Sequence, residues 1–152
     1  MPLVEFLPLL VDSLLGLSFM HKNNIVHRDI KPQNILKLKN QFVISDYGEG
    51  SNLSEKERGK EEVFHIGEYV LAGTPKFMDP ILYQSFLKYK NRKNKRDNTR
   101  PKALVDLFKT DIYSMGLSLL NAAAGKLMKS INSSMYKFQD CYKTVHKLSL
   151  PM

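Results

Sequence analysis

The run His27-Arg28-Asp29-Ile30-Lys31-Pro32-Gln33-Asn34 packs a carboxylate, a lysine and a carboxamide into one short segment, and Asp46-Tyr47-Gly48 adds a second carboxylate at the end of an apolar stretch. Carboxylates and amides offer the oxygens that hard cations take. A lysine contributes a compact positive charge, and Gly48 permits a sharp backbone turn straight after Asp46. Alone, a His-Arg-Asp tripeptide reads as a solvated loop. It acquires meaning from the segments downstream of it: Asn34, then Asp46-Tyr47-Gly48, then Gly73-Thr74-Pro75-Lys76-Phe77-Met78-Asp79-Pro80, then Asp111-Ile112-Tyr113-Ser114-Met115-Gly116.

Taken together, these segments resemble the catalytic-loop half of a protein kinase domain of the serine/threonine type. The resemblance implies a mainly α fold with a small β element, a kinase-like C-lobe whose N-lobe is absent and whose far end is truncated. It implies phosphoryl transfer, which asks a protein for positioning and charge neutralisation more than covalent help. Asp29 would accept or orient the proton of a substrate hydroxyl, and Lys31 would place its charge on the transferring group. Thr74 would hydrogen-bond with both. ATP would be contacted by Lys31, Asn34, Leu36 and Asp46, and Mg²⁺ would be held by Asn34 and Asp46. Asp111 would brace the catalytic-loop backbone, with His27 and Tyr47 stacked as structural residues. Residues 1–152 would form this partial domain, 49–72 its activation-segment loop and 88–102 a basic insertion. The partners implied are a protein substrate modified on Ser or Thr and the missing N-lobe, in cis or in trans.

Departures from the family pattern set limits on this expectation. Only one helix precedes His27, and the chain contains no glycine-rich phosphate loop and no strand lysine. The family's Ala-Pro-Glu becomes Asp79-Pro80-Ile81, which removes a glutamate expected to make an ion pair. The chain alone is therefore expected to be inactive and poorly soluble. A truncated pseudokinase acting as a binding module stands as the alternative. Arg28 beside Asp29 is the arrangement that in the family often pairs with a phosphate on the activation segment. Ser51, Ser54 and Tyr69 are the candidate acceptors, and Glu68 could stand in for the phosphate.

Hydrophobic periodicity indicates the elements that hold these residues. Leu3, Leu7, Leu10, Leu14 and Leu17 recur at helical spacing, and Pro8 in a first turn places a helix over 8–22. Short β-prone pieces occupy 25–45, with Lys39-Asn40 as the turn before Gln41. Residues 49–68 read as a mobile polar loop, and a short helix is expected over 78–89. A long helix over 103–124 is apolar on nearly every side and calls for burial all round. A weaker helix is expected over 136–147.

Composition narrows the setting. Of the net charge of +8, the segment 88–102 supplies +7, with eight basic residues against Asp97. The basicity belongs to one insertion, and with Tyr89 as its one aromatic it does not support base stacking, so nucleic-acid binding is not expected. Glu5 and Asp12 interrupt the first apolar stretch, against a membrane span. A single cysteine, Cys141, suits a reducing compartment, cytoplasmic or nuclear.

Overall fold

The computed structural model describes residues 2–53, 66–91 and 101–124. Helix α1 (Leu3–Lys22) leads into strand β1 (Ile25–Val26), a 3-10 turn (Pro32–Asn34) and the hairpin β2 (Ile35–Leu38) with β3 (Gln41–Ile44). Strands β4 (Ser51–Asn52) and β5 (Ile66–Val70) come next, then a second 3-10 turn (Pro75–Phe77), helix α2 (Pro80–Lys90), strand β6 (Lys102–Asp106) and helix α3 (Leu107–Ala124). Among the described residues three two-stranded antiparallel ribbons result: β1 with β4, β2 with β3 and β5 with β6. The described structure is mainly helical with small sheets.

Two apolar clusters hold these pieces, and the chemistry-bearing loop spans both. The first joins β1, β6, α2 and the start of α3 through Val26, Leu71, Met78, Leu82, Val105 and Leu107. The second joins α1, β3 and α3 through Leu9, Leu17, Met20, Ile30, Ile44, Met115 and Leu119. Val26, just before the loop, is buried in one cluster, and Ile30, inside the loop, in the other. Full burial of such side chains is worth about 1.5–3 kcal/mol each. The loop between them is thus tethered at both ends.

Helix α1 begins at Leu3, five residues before the start expected from Pro8, so Pro8 lies inside it. Its first turn is closed by the amides of Glu5 and Phe6 donating to the Pro2 carbonyl. The buried stripe, Leu9, Ser13, Leu17 and Met20, starts only after Pro8. By length and composition α1 could cross a membrane. In this fold that stripe packs against β3 and α3, and Asp12 accepts from the Phe42 amide at 2.9 Å.

The expected helix over 103–124 divides in two. Residues 102–106 form β6, with Ala103 and Val105 buried and Lys102 and Leu104 exposed, a period of two. The helix starts at Leu107, where Asp106 Oδ1 accepts from the Phe108 and Lys109 amides. Burial all round is not met either: Ile112 is 58% exposed and Leu120 47%. Strands β4 and β5 replace the ends of the expected 49–68 loop. Residues 54–65 of that loop, Ser54 among them, most of the basic insertion, Cys141 and the helix expected over 136–147 lie outside the described residues.

Candidate active site

The loop from His27 to Lys31 is held from below by one carboxylate. Asp111 Oδ2 accepts from the His27 amide at 2.7 Å, and Oδ1 from the Arg28 amide at 2.8 Å. His21 Nε2 approaches Oδ2 at 3.2 Å. Asp111 is 1% exposed, so these bonds form in a low-dielectric setting where buried donors must be satisfied. Arg28 takes a φ of +69° there, and the two consecutive amides converge on one anion, as in a backbone nest.

His27 is fully buried and works through hydrogen bonds. Its Nδ1 accepts from the Asp29 amide at 3.3 Å, and its Nε2 donates to the Ser45 carbonyl at 2.9 Å. Its ring lies 5.3 Å from that of Tyr47, tilted by 48°. Tyr47 is half exposed, and its hydroxyl donates to the Ile44 carbonyl at 2.9 Å.

Above this platform, Asp29, Lys31 and Thr74 form a closed set. Lys31 Nζ lies 2.6 Å from Asp29 Oδ2 and donates to Thr74 Oγ1 at 3.2 Å. Asp29 Oδ1 accepts from the Thr74 amide and hydroxyl, each at 2.7 Å. Thr74 therefore receives a hydrogen bond from the lysine and gives one to the carboxylate.

Asn34 and Asp46 lie just beyond the open end of the β2–β3 hairpin, one on each side. The register pairs Ile35 with Ile44, and beyond it the Asn34 carbonyl accepts from the Ser45 amide at 2.8 Å and hydroxyl at 3.1 Å. Asn34 Nδ2 donates to the Asp29 carbonyl at 3.0 Å, an orientation that leaves the side-chain oxygen to act as an acceptor. Asp46 has a φ of +65°, and no lysine or arginine among the described residues pairs with it. An amide oxygen and an uncompensated carboxylate are a donor set that suits Mg²⁺, which uses one or two protein ligands and completes its shell with water and phosphate. No group of three or more His, Cys, Asp or Glu side chains fit for a metal exists among the described residues. Leu36 sits on β2 and is 44% exposed, an apolar surface facing outward from the hairpin.

Sequence reasoning did not single out Ser45, His21 or Ser114. Ser45 ties the hairpin to both Asn34 and His27, and Ser114 Oγ lies 2.7 Å from the Phe77 carbonyl and 2.9 Å from that of Thr110. Ser114 stands inside the quoted Asp111–Gly116 segment, and its role could have been sought there.

Gly73 closes the site against the loop. Its φ is +102°, and a Cβ there would meet the Arg28 carbonyl at 2.6 Å. Gly73→Ala is expected to destabilise the fold by about 1–3 kcal/mol through backbone strain and the clash together. It should also displace Thr74 from Asp29. Thermal unfolding reads the first effect.

Asp79 caps α2, with Oδ1 accepting from the Ile81 amide at 2.8 Å and the Leu82 amide at 3.2 Å. Its Oδ2 is buried without a hydrogen-bond partner. Burial pushes the carboxyl above the usual aspartate range, against the lowering pull of the Leu82 and Ile81 amides. The folded form thus holds the proton more tightly than the unfolded form. Its contribution to stability is complete below the unfolded value and is lost as pH rises through the folded one. Asp79→Asn keeps a capping oxygen and removes the buried charge, so its Tm should fall less than the parent's as pH rises above the usual aspartate range. Asp79→Ala should cost about 1 kcal/mol through the lost cap.

A loop braced by a helix aspartate, an Asp–Lys–Thr set above it and a hairpin followed by Asp46-Tyr47-Gly48 are the parts that the resemblance to a protein kinase implies. The chain belongs to the protein kinase family, of the eukaryotic type: the family model for the protein kinase domain matches residues 8–150. It is 33% identical over 120 residues to Protein Brassinosteroid Insensitive 1 of Arabidopsis thaliana, covering 76% of this chain and 8% of that protein. It is 34% identical over 111 residues to the phosphorylase b kinase gamma catalytic chain, liver/testis isoform, of Bos taurus, covering 72% and 22%. With the inhibitor of nuclear factor kappa-B kinase subunit epsilon of Mus musculus the identity is 29% over 128 residues, covering 81% and 15%. The matched region is less than a quarter of each of these relatives.

Proposed function

We propose that this chain supplies the catalytic loop of a protein serine/threonine kinase, which transfers the terminal phosphate of ATP to a protein hydroxyl. The observation that carries this reading is the Asp29–Lys31–Thr74 set, which joins a carboxylate able to accept a proton to a cation able to face a phosphoryl group. Asp29 orients the substrate hydroxyl and receives its proton as the oxygen attacks. Lys31 neutralises charge gathering on the transferred group, and Thr74 holds both side chains in register. Asn34 and Asp46 are the residues that would hold Mg²⁺, which when bound neutralises phosphate charge and orients it. Leu36 offers its exposed apolar side chain to the adenine.

A second reading, a binding module that transfers nothing, draws on Ile81, 56% exposed where the family pattern has glutamate. One assay separates the two. The protein carrying this chain is incubated with γ-labelled ATP, Mg²⁺ and a mixed Ser/Thr/Tyr peptide pool. Phosphoserine or phosphothreonine that vanishes on chelation is expected. Phosphotyrosine alone would contradict the serine/threonine assignment, and no transfer would favour the binding module.

A further inference from the structure

The turn that follows Thr74 carries a cation that the chemistry proposed above does not use. This second 3-10 turn, Pro75–Phe77, is closed by the Phe77 amide donating to the Thr74 carbonyl at 2.9 Å. Pro75 fixes its own φ. Phe77 is buried, and its carbonyl lies 2.7 Å from Ser114 Oγ on α3. Thr74 itself donates twice to Asp29 Oδ1. The turn is thus fixed at both ends, with Lys76 exposed at its centre. The Lys76 ammonium lies 5.7 Å from the centroid of the Phe77 ring, within reach of a cation–π contact. No carboxylate lies within ion-pair distance of it among the described residues. Lys31, by contrast, is 2.6 Å from Asp29 Oδ2 and also donates to Thr74. Of the acids around the turn, Asp29 is engaged by Lys31 and Thr74, and Asp79 is buried in the cap of α2. Glu68 is exposed on β5, opposite Leu104.

We infer that Lys76 selects protein substrates with an acidic residue within two places of the Ser or Thr to be modified. The inference rests on the kinase reading and names a substrate class for that same site. Two residues of extended chain span about 7 Å, so Lys76 is no farther than that from Thr74 along the backbone. A substrate residue one or two places from the hydroxyl that meets Asp29 covers the same range. A carboxylate there gains an ion pair with an ammonium that the fold leaves uncompensated, whereas a substrate lysine brings two like charges together. The charge farther out has the same sign. Lys102 is exposed on β6, and Pro101 before it accepts from the Leu71 amide at 2.7 Å, three residues ahead of Thr74. Such outlying cations draw acidic chains to this side without choosing a position. Dependence on position therefore belongs to Lys76.

The test uses peptides with a single serine acceptor and Glu, Ala or Lys at successive places on either side of it. The protein carrying this chain is assayed with each for transfer from γ-labelled ATP. Glu at a place within two residues of the serine should raise kcat/KM about fivefold over Ala, the upper end for an exposed ion pair. Lys at that place should lower it. Lys76→Gln should abolish the difference between Glu and Ala, and Lys76→Glu should reverse the order so that the Lys peptide is preferred. A merely structural lysine would slow all peptides alike. The inference is overturned by equal use of Glu and Ala peptides, by a preference confined to places farther out, or by one that survives in Lys76→Glu. If Lys76→Glu fails to fold, Lys76→Gln and the parent's peptide profile decide. Absence of transfer to every peptide would refute the kinase reading. The same peptides, labelled with fluorescein and titrated by anisotropy, would still judge Lys76, because tighter binding of the Glu peptide must then be lost in Lys76→Gln.

Discussion

Asp29→Asn is expected to lower kcat for peptide phosphorylation by about 10²–10⁴, the usual contribution of a positioned general base. Two effects combine. The asparagine cannot take up the proton of the hydroxyl, and its NH₂ group confronts a donor where a carboxylate oxygen had an acceptor's role. In the folded chain both Asp29 oxygens are engaged, one by Lys31 and the other twice by Thr74. An amide offers one oxygen for these three donors, so either Lys31 or Thr74 loses its partner. ATP binding should change less than kcat, because Asn34, Leu36 and Asp46 are untouched and Lys31, the fourth residue proposed to face the nucleotide, keeps its charge even where it loses its Asp29 partner. Steady-state kinetics with both substrates varied checks the split: a kcat near the parent's would contradict the role given to Asp29.

Asp111→Ala is expected to cost about 3–5 kcal/mol of stability, a large part of what a domain of this size possesses. The carboxylate accepts two buried backbone amides and sits beside His21. Removing it leaves the His27 and Arg28 amides without acceptors inside the fold, and each unsatisfied buried donor costs about 1–3 kcal/mol. Arg28 also loses the interaction that offsets its positive φ. Asp111→Asn should fall between, since one oxygen remains but its NH₂ faces a donor. The neighbouring Asp106→Ala is a useful contrast, because it removes the cap of α3 and a long, exposed ion pair with Lys109 and should cost about 1 kcal/mol. Urea denaturation of the three variants orders them, and equal losses for Asp111 and Asp106 would contradict the bracing role.

How far the sequence can be read depends on where each determinant lies. Asp29, Lys31 and Asn34 fall within one short segment, and the hairpin returns Ser45, the residue before Asp46, to the Asn34 carbonyl. Local spacing and a two-residue turn are enough to foresee that meeting. Thr74 reaches Asp29 from far along the chain, and only the family pattern ties them. The strand at 102–106 escapes a local reading because Ala103 to Leu107 continues the apolar run of the helix behind it. What makes it a strand is its partner at 66–70, and no local pattern encodes a distant pairing. The start of α1 is misplaced for the opposite reason. Pro8 reads as a first-turn residue, yet the turn before it closes on Pro2 and the buried stripe takes over from Leu9. Gly73 looks like an ordinary member of a motif, and its necessity emerges only from the Arg28 carbonyl lying against its Cα.

The central claim is that Asn34 and Asp46 present their oxygens to one divalent cation beside Asp29. Mn²⁺ in place of Mg²⁺, added with ATP to the isotopically labelled protein, tests it through paramagnetic broadening. The account predicts that the Asn34 side-chain amide and the Asp46 and Asp29 backbone signals broaden first, and that Asp46→Asn weakens the effect. Broadening centred elsewhere, on the basic segment 88–102 for example, with Asn34 and Asp46 left sharp, would contradict it.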